Sequence, residues 1–570
     1  MLQADLLIKN VKVFNSAFKH FYDSAVAVRA GRILYVGTQA LNQIEAKATV
    51  DGGGQYLVPG LIDIHLHIES SMITPPAFSE MLLRNGVTTC VAEPHEIANV
   101  FGMDGVLSFL ALSQKCAADI FYGIPSSVPS TALETSGGTI GTEDLHRLLQ
   151  DPRVLCLGEV MDCRTLVQYP DSHIAQMVAA MQRERNMPII EGHCPRFRGL
   201  ALARILFCGV DSDHTEQTPQ GMRERIANGM FVEIQEKSLT QEIIDFCVKN
   251  PVGGHFCFVT DDVMADQLQK GHLNRLVRKA IALGMPPEDA IYAASASPAA
   301  RMNLRDRGSV APGKLADFLL LDDLRQFRVK QVYKRGVLVK ENKKENKAAG
   351  HFFPERFYHS VHLPLRTEKD FLVFTPPGSQ AVHCRVIAVQ PGTTFTEEQI
   401  VRLPATQGRL NWKSNSQLCL GTVFERHHGS GRVGMGLLTG SCLHAGAAAT
   451  SYAHDHHNLF VVGRDERDMA LAANMVIKNG GGICVVRDGK VLELVPLAVG
   501  GILSEEPAEQ VGRKVACATA ALRALGWQHE NPIMSLCTVS LPVSPALKLT
   551  DRGLVDVQGG HIVPLFLEEE

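Results

Sequence analysis

Short apolar or β-branched segments recur along the first half of the chain and indicate a repeated strand-and-helix unit. From residue 61 to residue 255 their average spacing is about 28 residues, the length of one βα unit. The segments between them, such as PPAFSEMLLRNG and SHIAQMVAAMQRERN, have the apolar spacing of amphipathic helices. Eight such units in about 250 residues predict an α/β fold with a TIM-type (β/α)8 barrel. The predicted strands are residues 61–67, 87–93, 119–125, 154–159, 188–193, 207–213, 230–234 and 255–261.

Both flanks of the predicted barrel carry short β-rich segments with glycine turns. The segments DLLIKNVKVFN and SAVAVRAGRILYVG open the chain, and ADFLLLDD and FRVKQVYKRGVLV follow the barrel. Apolar alternation with a period of two is typical of strands. We therefore expect a small β-sandwich built from residues 1–58 and 306–340, around a barrel at residues 59–305.

The remainder of the chain is predicted to be a connection and a further domain. The charged segment KENKKENKAAG has few core residues, so residues 341–370 are expected to form a linker or loop. Residues 371–570 contain β-rich runs and two segments with helix-capping signals. Asp465 is a candidate N-cap of the first helix, and Gly526 ends the second. This pattern predicts a C-terminal α+β domain.

Composition and charge exclude several classes of protein. The chain has 570 residues, of which 45% are hydrophobic and 20% charged, as in an ordinary folded protein. Its 56 basic and 60 acidic residues give a net charge of -4, which offers no surface for nucleic acid or an anionic membrane. No apolar run reaches the ~20 residues of a membrane helix. The 14 cysteines form no C-x-x-C pair and the N-terminus lacks a signal-peptide pattern, so a cytoplasmic protein with reduced thiols is expected.

The first predicted barrel strand carries two histidines one residue apart. In the segment LIDIHLHI, alternation places the apolar residues on one face and Asp63, His65 and His67 on the other. In a barrel strand covered by helices, the polar face is expected to point inward. Two imidazoles so spaced can converge on one cation, and histidine with carboxylate suits Zn, Fe or Mn. Hydrogen-bonded core histidines are the alternative.

Further candidate ligands stand at the ends of other predicted strands. Glu159 follows VLCLG, His193 follows PIIEG, His214 closes GVDSDH, and Asp261 follows HFCFVT. Together with the histidine pair they fall on the first, fourth, fifth, sixth and eighth strands. Functional residues of such barrels lie at the C-terminal ends of the strands. The positions therefore predict one metal centre at that face.

Short motifs in the barrel and in the C-terminal domain carry a resemblance to a known family. They are PGLID from Pro59, EPHEIAN from Glu93, GEVM from Gly158, GH at Gly192, SDH from Ser212, TDD from Thr260, GH at Gly271, RG at Arg307, AHD from Ala453, DMALA from Asp468, GGG from Gly480, SEEP from Ser504 and LTDRG from Leu549. These motifs resemble those of the adenine deaminase family within the amidohydrolase superfamily of metal-dependent barrels. The resemblance spans nearly the whole chain.

The resemblance implies a chemistry and a set of partners. It implies hydrolytic deamination of adenine to hypoxanthine and ammonia in purine salvage, with a small-molecule purine base as partner and a homo-oligomer of two or more chains. Glu159 would bridge two divalent ions, Mn²⁺ or Fe²⁺ first and Zn²⁺ as a third choice, and the bridging hydroxide would attack the base. Asp261 would carry a proton from the bridging water to the departing nitrogen. The implied ligands are His65, His67, Glu159, His193, His214 and Asp261.

Other polar residues are candidates for substrate contact. His95, after the second predicted strand, is expected to orient the purine or stabilise charge on a ring nitrogen, with Glu93 or Glu96 as its partner. Glu93 and Glu96 are also candidates for contact with the substrate. A rigid loop flanked by proline is the alternative. Glu236, after the seventh strand, is a further candidate, although that segment can simply face solvent. The cluster AHDHHN around His454 lacks other ligands at a recognisable spacing, so a structural or interface role is favoured over metal binding.

The chain departs from the family pattern at three places. Thr215 follows the histidine of strand six where the family carries Glu, and Glu216 comes one residue later. Residues 235–238 read QEKS where the family tends to read REGS, and His456 replaces an expected serine. Thr215 and residues 235–238 are expected at the barrel mouth, where a different exocyclic group would be accommodated. N6-methyladenine or another cyclic amidine or amide is therefore an alternative substrate, and a non-catalytic barrel is disfavoured by the complete ligand set.

Overall fold

The computed structural model describes residues 1–185, 187–340 and 351–567. The chain opens with strands β1 (Leu2–Asn15), β2 (His20–Arg29), β3 (Arg32–Val36) and β4 (Ile44–Pro59). Eight further strands follow, β5 (Leu61–Leu66), β6 (Val87–Ala92), β7 (Asp119–Ile124), β8 (Val154–Val160), β9 (Ile190–Gly192), β10 (Ser212–Asp213), β11 (Phe231–Ile234) and β12 (Phe256–Phe258). The helices among and after them are α1 (Pro75–Arg84), α2 (His95–Phe101), α3 (Met103–Ser113), α4 (Thr142–Leu148), α5 (Cys163–Gln168), α6 (His173–Glu184), α7 (Gly199–Phe207), α8 (Pro219–Ala227), α9 (Gln241–Lys249), α10 (Ala265–Leu268), α11 (Leu273–Ala282), α12 (Pro287–Ala293) and α13 (Ala296–Arg301).

Strands predominate in the rest of the chain. The first three are β13 (Phe318–Asp323), β14 (Arg328–Lys334) and β15 (Val337–Leu338). The C-terminal strands are β16 (Ala381–Val389), β17 (Thr396–Thr406), β18 (Arg409–Leu410), β19 (Cys419–Phe424), β20 (Val433–Gly440), β21 (Ala447–Thr450), β22 (Leu459–Gly463), β23 (Gly482–Arg487), β24 (Lys490–Pro496), β25 (Leu547–Thr550), β26 (Gly553–Asp556) and β27 (His561–Val563). Their helices are α14 (Glu466–Lys478), α15 (Ala508–Ala524) and α16 (Pro532–Cys537).

Strands β5–β12 form a closed ring. β5 to β9 pair in parallel in chain order, and β10 to β12 form a second parallel group. The amide of Asp211 donates to the carbonyl of Ile190 at 3.0 Å and joins the groups on one side. The amide of Asp261 donates to the carbonyl of His65 at 3.1 Å and joins them on the other. The predicted (β/α)8 barrel is therefore confirmed.

The sixth barrel strand differs most from its prediction. It was expected at residues 207–213, but the structure has a strand only at Ser212–Asp213. Phe207 is the last residue of α7 and is 92% exposed, so its apolar character does not mark a buried strand. Gly209, with a φ of +106°, makes the turn that follows the helix.

The packing of β5 interrupts the alternation predicted for it. Ile62 and Ile64 pack inside the barrel with apolar residues of β6, β8 and β12. Asp63 instead accepts a hydrogen bond from Thr260 Oγ1 at 2.7 Å. The pairing of β5 with β6 is irregular between Asp63 and Leu66. The strict two-residue alternation predicted for this strand is wrong, because Ile62 and Ile64 pack inside the barrel whereas Leu66 and Ile68 pack in the separate core that includes the surrounding helices.

The two flanks of the barrel contribute to one sheet of seven strands, in the order β15-β14-β13-β4-β1-β2-β3. β4 runs parallel to β1, with Ile44 opposite Leu2, and antiparallel to β13, with Pro59 opposite Phe318. β4, which leads into the barrel, is therefore hydrogen-bonded to β13, which follows the barrel in the sequence. The boundaries expected for this unit stay predictions.

The C-terminal part has the expected α+β content. A nine-stranded sheet, β18-β17-β16-β20-β19-β22-β21-β23-β24, is accompanied by the small sheet β25-β26-β27 and by three helices. Asp465 caps α14 as predicted, since its side chain accepts from the amides of Arg467 and Asp468. α15 ends at Ala524, shortly before Gly526 with its φ of +116°.

The segment that follows the barrel and the seven-stranded sheet in the sequence packs on the barrel. Residues 341–350, the first part of the predicted linker, lie outside the described residues. Beyond them Phe353 and Phe357 are buried, and the Phe357 ring stacks on Phe101 of α2 with centroids 3.9 Å apart. Among the described helices, none combines the length and apolar composition that crossing a bilayer requires.

Candidate metal centre

Parallel strands bring the six predicted metal ligands to one end of the barrel. Each lies near or just beyond the C-terminal end of its strand. They are His65 of β5, His67 directly after β5, Glu159 of β8, His193 after β9, His214 after β10 and Asp261 after β12.

Glu159 lies between two groups of imidazoles. Its Oε1 is 3.4 Å from His67 Nε2, whereas its Oε2 is 3.2 Å from both His193 Nδ1 and His214 Nε2. Each carboxylate oxygen therefore faces different histidines. A carboxylate placed in this way has the geometry of a bridge between two cations.

Asp261 and His65 complete the side of this centre nearest β5. Asp261 Oδ1 is 3.4 Å from His67 Nε2 and 3.8 Å from His65 Nε2. The His65 ring stacks on His214 with centroids 3.9 Å apart. His65 Nε2 is buried and has no hydrogen-bond partner within the described ranges. Imidazole nitrogens and carboxylate oxygens are the donors that Zn, Mn and Fe accept, so the residues present fit a divalent ion.

Glu159, Asp261 and His65 have charge states that suit metal binding, whereas, against the effect of burial, Asp261 raises the pKa of His67 and Glu159 raises that of His214 to about 9, so these two imidazoles must lose a proton to coordinate an ion. Burial acts to raise the pKa of Glu159, but His214 and His193 hold that pKa well below its usual range. Burial likewise opposes ionisation of Asp261, whose pKa is nevertheless lowered by His67 and His214. Burial, aided by His214, lowers the pKa of His65 to about 3. Ionised carboxylates and neutral imidazole are the forms that coordinate metals.

Glu93 supports the strand that carries Glu159. Its Oε2 accepts a hydrogen bond from the Glu159 amide at 2.8 Å. A Cβ at Gly158 would stand 2.3 Å from the carboxyl carbon of Glu93, so glycine is needed for this approach. The sequence pattern indicated Glu93 as a partner of His95 and a candidate for substrate contact, and not as a support for Glu159. Its position directly after a barrel strand was the signal for this additional contact.

His95 lies beside the centre at the start of α2. Its ring centroid is 4.5 Å from that of His67. Its Nδ1 is 3.8 Å from Glu93 Oε1, and its Nε2 is 3.5 Å from Glu96 Oε1. Both predicted partners therefore lie next to His95, on opposite sides of its ring.

Buried charged residues behind the ligands were missed by the sequence patterns. Asp213 accepts from the Cys194 amide at 2.9 Å and from Arg225 Nε at 2.6 Å, and so ties together the segments that follow β9 and β10. Glu233 is fully buried, with Oε2 4.0 Å from His65 Nδ1. A single acid within an apolar strand, as in FVEI, is the signal that identifies such positions.

The centre opens into a cavity of about 840 Å³ between the barrel and the C-terminal domain. Its walls include Asp261 and Glu236 from the barrel and Asp455, Arg523 and Pro545 from the C-terminal domain. The Glu236 carboxylate pairs with Arg275, which also lines the cavity. Glu236 is therefore at the cavity wall, as a substrate-contacting residue must be, although its charge already has a partner.

Two families of known proteins match separate parts of the chain. Residues 56–339 match the amidohydrolase family, and residues 393–560 match the adenine deaminase C-terminal domain. These matches cover the barrel with part of the flanking sheet and most of the C-terminal domain.

Several relatives are similar over their full length. Adenine deaminase 2 of Shouchella clausii is 49% identical, covering 100% of both chains. Adenine deaminase of Clostridium perfringens is 46% identical, covering 99% of this chain and 100% of the relative, and adenine deaminase 2 of Oenococcus oeni is 40% identical, covering 100% of each. This chain belongs to the adenine deaminase family. It is a metal-dependent hydrolase that acts on C–N bonds.

The departures from the adenine deaminase pattern have different structural positions. Thr215 is buried and its Oγ1 donates to Asp213 Oδ1 at 2.9 Å, and it is not among the residues that line the cavity. The expectation that Thr215 accommodates a substrate group is therefore wrong, because its hydroxyl is held by Asp213. Gln235 and Lys237 do line the cavity, so this segment keeps the expected position. His456 is fully buried, and its Nδ1 accepts from the Asn458 amide at 2.9 Å.

The adenine deaminase C-terminal domain contributes a loop to the barrel mouth. His454 and Asp455, between β21 and β22, both line the cavity. His454 Nδ1 is 2.5 Å from Glu96 Oε1, and Asp455 Oδ1 is 3.9 Å from His95 Nε2. The cavity wall is thus shared by the two domains, and the loop meets ligand-type residues of α2 that are remote from it in sequence.

Proposed function

We propose that this chain hydrolyses adenine to hypoxanthine and ammonia. The observation that carries the proposal is Glu159, whose two oxygens face separate imidazole groups at 3.2 to 3.4 Å in a chain of this family. A bridging carboxylate suits activation of water for attack on an amidine carbon such as C6 of adenine.

The ligand arrangement supports two divalent ions. His65, His67 and Asp261 would hold the first, on the side of Glu159 Oε1. His193 and His214 would hold the second, on the side of Glu159 Oε2. Mn²⁺ or Fe²⁺ is proposed, with Zn²⁺ as the third choice, because all three accept imidazole and carboxylate ligands. When bound, the ions lower the pKa of water and so supply a nucleophile at neutral pH.

Asp261 is proposed to move the proton. Its carboxylate is ionised and lines the cavity, where it can accept a proton from water and donate it to the departing nitrogen. The atoms then balance: water supplies the oxygen on C6, one of its hydrogens joins the amino group that leaves as ammonia, and the other remains on the ring nitrogen N1 of hypoxanthine. A group of this kind acts on turnover more than on substrate affinity.

His95 is proposed to orient the purine. Its Nδ1 is buried and has no hydrogen-bond partner within the described ranges, so it is available to a ring nitrogen. Glu93 and Glu96 would fix the imidazole, and Glu236 would contact the base from the cavity wall. The small-molecule purine is the partner that the cavity favours. Assembly as a homo-oligomer stays a prediction from the resemblance, and a cytoplasmic location is supported by 14 cysteines without a disulfide.

A substrate panel tests the function. Protein made in medium with added Mn²⁺ and chelated iron is assayed for ammonia release from adenine, N6-methyladenine, adenosine and guanine. We expect kcat/KM for adenine to exceed the others by at least about tenfold, or about 1.4 kcal/mol in transition-state binding. Glu159→Gln, which removes the bridging charge, is expected to bind fewer ions and lose activity. A better rate with N6-methyladenine would overturn the substrate assignment and direct attention to residues 235–238.

A further inference from the structure

A second group of metal-ligand side chains lies where the C-terminal domain meets the barrel mouth. His95 and Glu96 belong to α2, and His454 and Asp455 to the loop between β21 and β22. All four are buried, with at most 4% exposure. One ligand atom from each lies within 4.8 Å of the other three.

The separations of these atoms match a four-ligand shell. His95 Nε2 is 3.5 Å from Glu96 Oε1 and 3.9 Å from Asp455 Oδ1. His454 Nδ1 is 3.4 Å from Asp455 Oδ1 and 2.5 Å from Glu96 Oε1. Ligand atoms about 2.1 Å from a tetrahedral cation lie about 3.4 Å apart. Three of the four separations are near that value.

The polar atoms of this quartet satisfy one another only in part. Glu96 Oε1 is in ion-pair contact with His454 Nδ1, but His454 Nε2 and Asp455 Oδ2 are buried without a hydrogen-bond partner in the part of the chain that the structure describes. Burying two carboxylates in this state costs free energy. A cation at their common centre would offset that cost. His457 Nε2 contacts the other oxygen of Glu96 and would hold the carboxylate in a ligand orientation.

We propose that His95, Glu96, His454 and Asp455 form a further divalent-metal site that binds Zn²⁺. Two imidazole nitrogens and two carboxylate oxygens in a four-coordinate arrangement are donors that zinc prefers. The site shares no ligand with the six-ligand centre but adjoins it, since His95 also lies within 4.8 Å of ligand atoms of His67 and Glu159. It draws its ligands equally from the barrel and the C-terminal domain. The ion therefore joins the two parts of the chain at the cavity wall.

Zinc at this position fixes the proton on His95. With Nε2 bound to the ion, the remaining imidazole proton lies on Nδ1. That nitrogen is 3.8 Å from Glu93 Oε1, and Glu93 itself contacts the Glu159 amide. His95 thus becomes a hydrogen-bond donor directed toward the six-ligand centre.

Anomalous diffraction from the full-length protein tests the proposal. Crystals of Mn-loaded protein are equilibrated with a slight excess of Zn²⁺, and data are collected on both sides of the zinc absorption edge. We expect a zinc signal between His95 Nε2 and His454 Nδ1 in the wild type. Asp455→Asn is expected to lose this signal, and one bound ion per chain, while the signals at His65 and His193 remain.

Asp551→Asn is the matched control. Asp551 is equally buried at the same domain junction, where it accepts from the Thr135 amide at 3.0 Å, but it is not part of the quartet. It should retain the zinc signal. If the four residues form two simple imidazolium–carboxylate pairs, the wild type will show no zinc signal at the quartet. That result overturns the proposal, whether or not the variants fold. Loss of the signal in Asp551→Asn overturns the ligand assignment. An inactive protein with a zinc-filled quartet would count against the proposed function alone.

Discussion

Asp261 is expected to be the most sensitive single residue for turnover. Its carboxylate faces His65 and His67, lines the cavity and is held ionised by neighbouring imidazoles. Asp261→Asn removes the base, and general acid–base help is worth about 10²- to 10⁴-fold. We expect kcat for adenine to fall by at least that range with a smaller change in KM, measured on protein whose metal content has been determined.

Asp262→Asn is the comparison for this variant. Asp262 is the next residue and its Oδ1 accepts a hydrogen bond from Ser70 Oγ. It should lose less activity, because its partner is a hydroxyl group and not a proposed ligand. Near-normal kcat in Asp261→Asn would remove that carboxylate from the mechanism.

Lys548 is predicted to make the free energy of unfolding increase with pH in the neutral to alkaline range. It is fully buried, donates to the carbonyls of Thr394 and Thr538, and has its pKa lowered by burial to about 7. In an unfolded chain the pKa of a lysine side chain is about 10.4. Between these values the unfolded chain binds one more proton, so stability rises with pH by about 1.4 kcal/mol per unit.

Lys548→Met removes this contribution. The difference in urea midpoint between the wild type and Lys548→Met should therefore shift in favour of the wild type from pH 7 to pH 9, where the native amine has become neutral. Below pH 7 the difference should be constant. A constant difference between the urea midpoints of the wild type and Lys548→Met from pH 7 to pH 9 would show that the Lys548 amine stays charged in the folded protein.

At the scale of elements, β8 depends on a glycine. A methyl group at Gly158 would meet the Glu93 carboxylate, with the nearest atoms at 2.3 to 2.7 Å. Gly158→Ala is therefore expected to displace Glu93 from the Glu159 amide, lower stability by about 1–3 kcal/mol and reduce metal content and activity together. Gly141→Ala is the control, since Gly141 has a φ of -117° and no atom within 4 Å of an added Cβ. Equal effects of the two substitutions would contradict the proposed role of Gly158.

The barrel strands were predictable because their signal is local. Apolar spacing located all eight, and Asp465 marked the start of α14 through its capping pattern. The strict alternation of β5 failed because Ile62 and Ile64 pack against other strands, which no window of sequence contains. The strand predicted from Phe207 failed for a related reason: the sequence does not distinguish an exposed phenylalanine at the end of a helix from a buried one in a strand.

At the scale of the whole molecule, the barrel is joined to the flanking sheet by an ion-pair network around Asp119. Its Oδ2 accepts from Arg307 at 2.8 Å and Lys334 at 2.7 Å, and its Oδ1 accepts from Arg335 at 3.1 Å. Asp119→Ala removes the shared partner but leaves Lys334 paired with Asp317 and Arg307 paired with Asp306, so the loss is expected to cost about 1.5–3 kcal/mol.

The readout for Asp119→Ala is a lower urea midpoint with unchanged kcat per metal-loaded chain. Asp119 begins β7, at the end of the barrel away from the metal centre, where residues contribute to stability and not to catalysis. Asp23→Ala is the control, because Asp23 is 88% exposed in its pair with Lys12. A fall in kcat equal to that of the Asp261 variant would contradict this division between the two ends.

The candidate site was only half predictable. The six ligands share one barrel, so strand order alone placed them together, and the structure brings them within a few ångströms. The contact of His95 and Glu96 with His454 and Asp455 was not predictable, since Asp455 comes 360 positions after His95 and no periodic pattern connects them. Only the packing of two separately folded parts creates that neighbourhood.

The shared cavity wall sets an order of events during protein synthesis. The last proposed ligand of the main centre is Asp261, whereas the wall is completed only at Pro545. At about 5 to 20 residues per second, the ribosome needs roughly 15 to 60 s to deliver the intervening chain. During that interval the nascent barrel can expose all six ligands through a face that the C-terminal domain later covers. Metal can then enter before the wall is built, and a chain released early would carry the complete ligand set without the enclosure in which a purine is held.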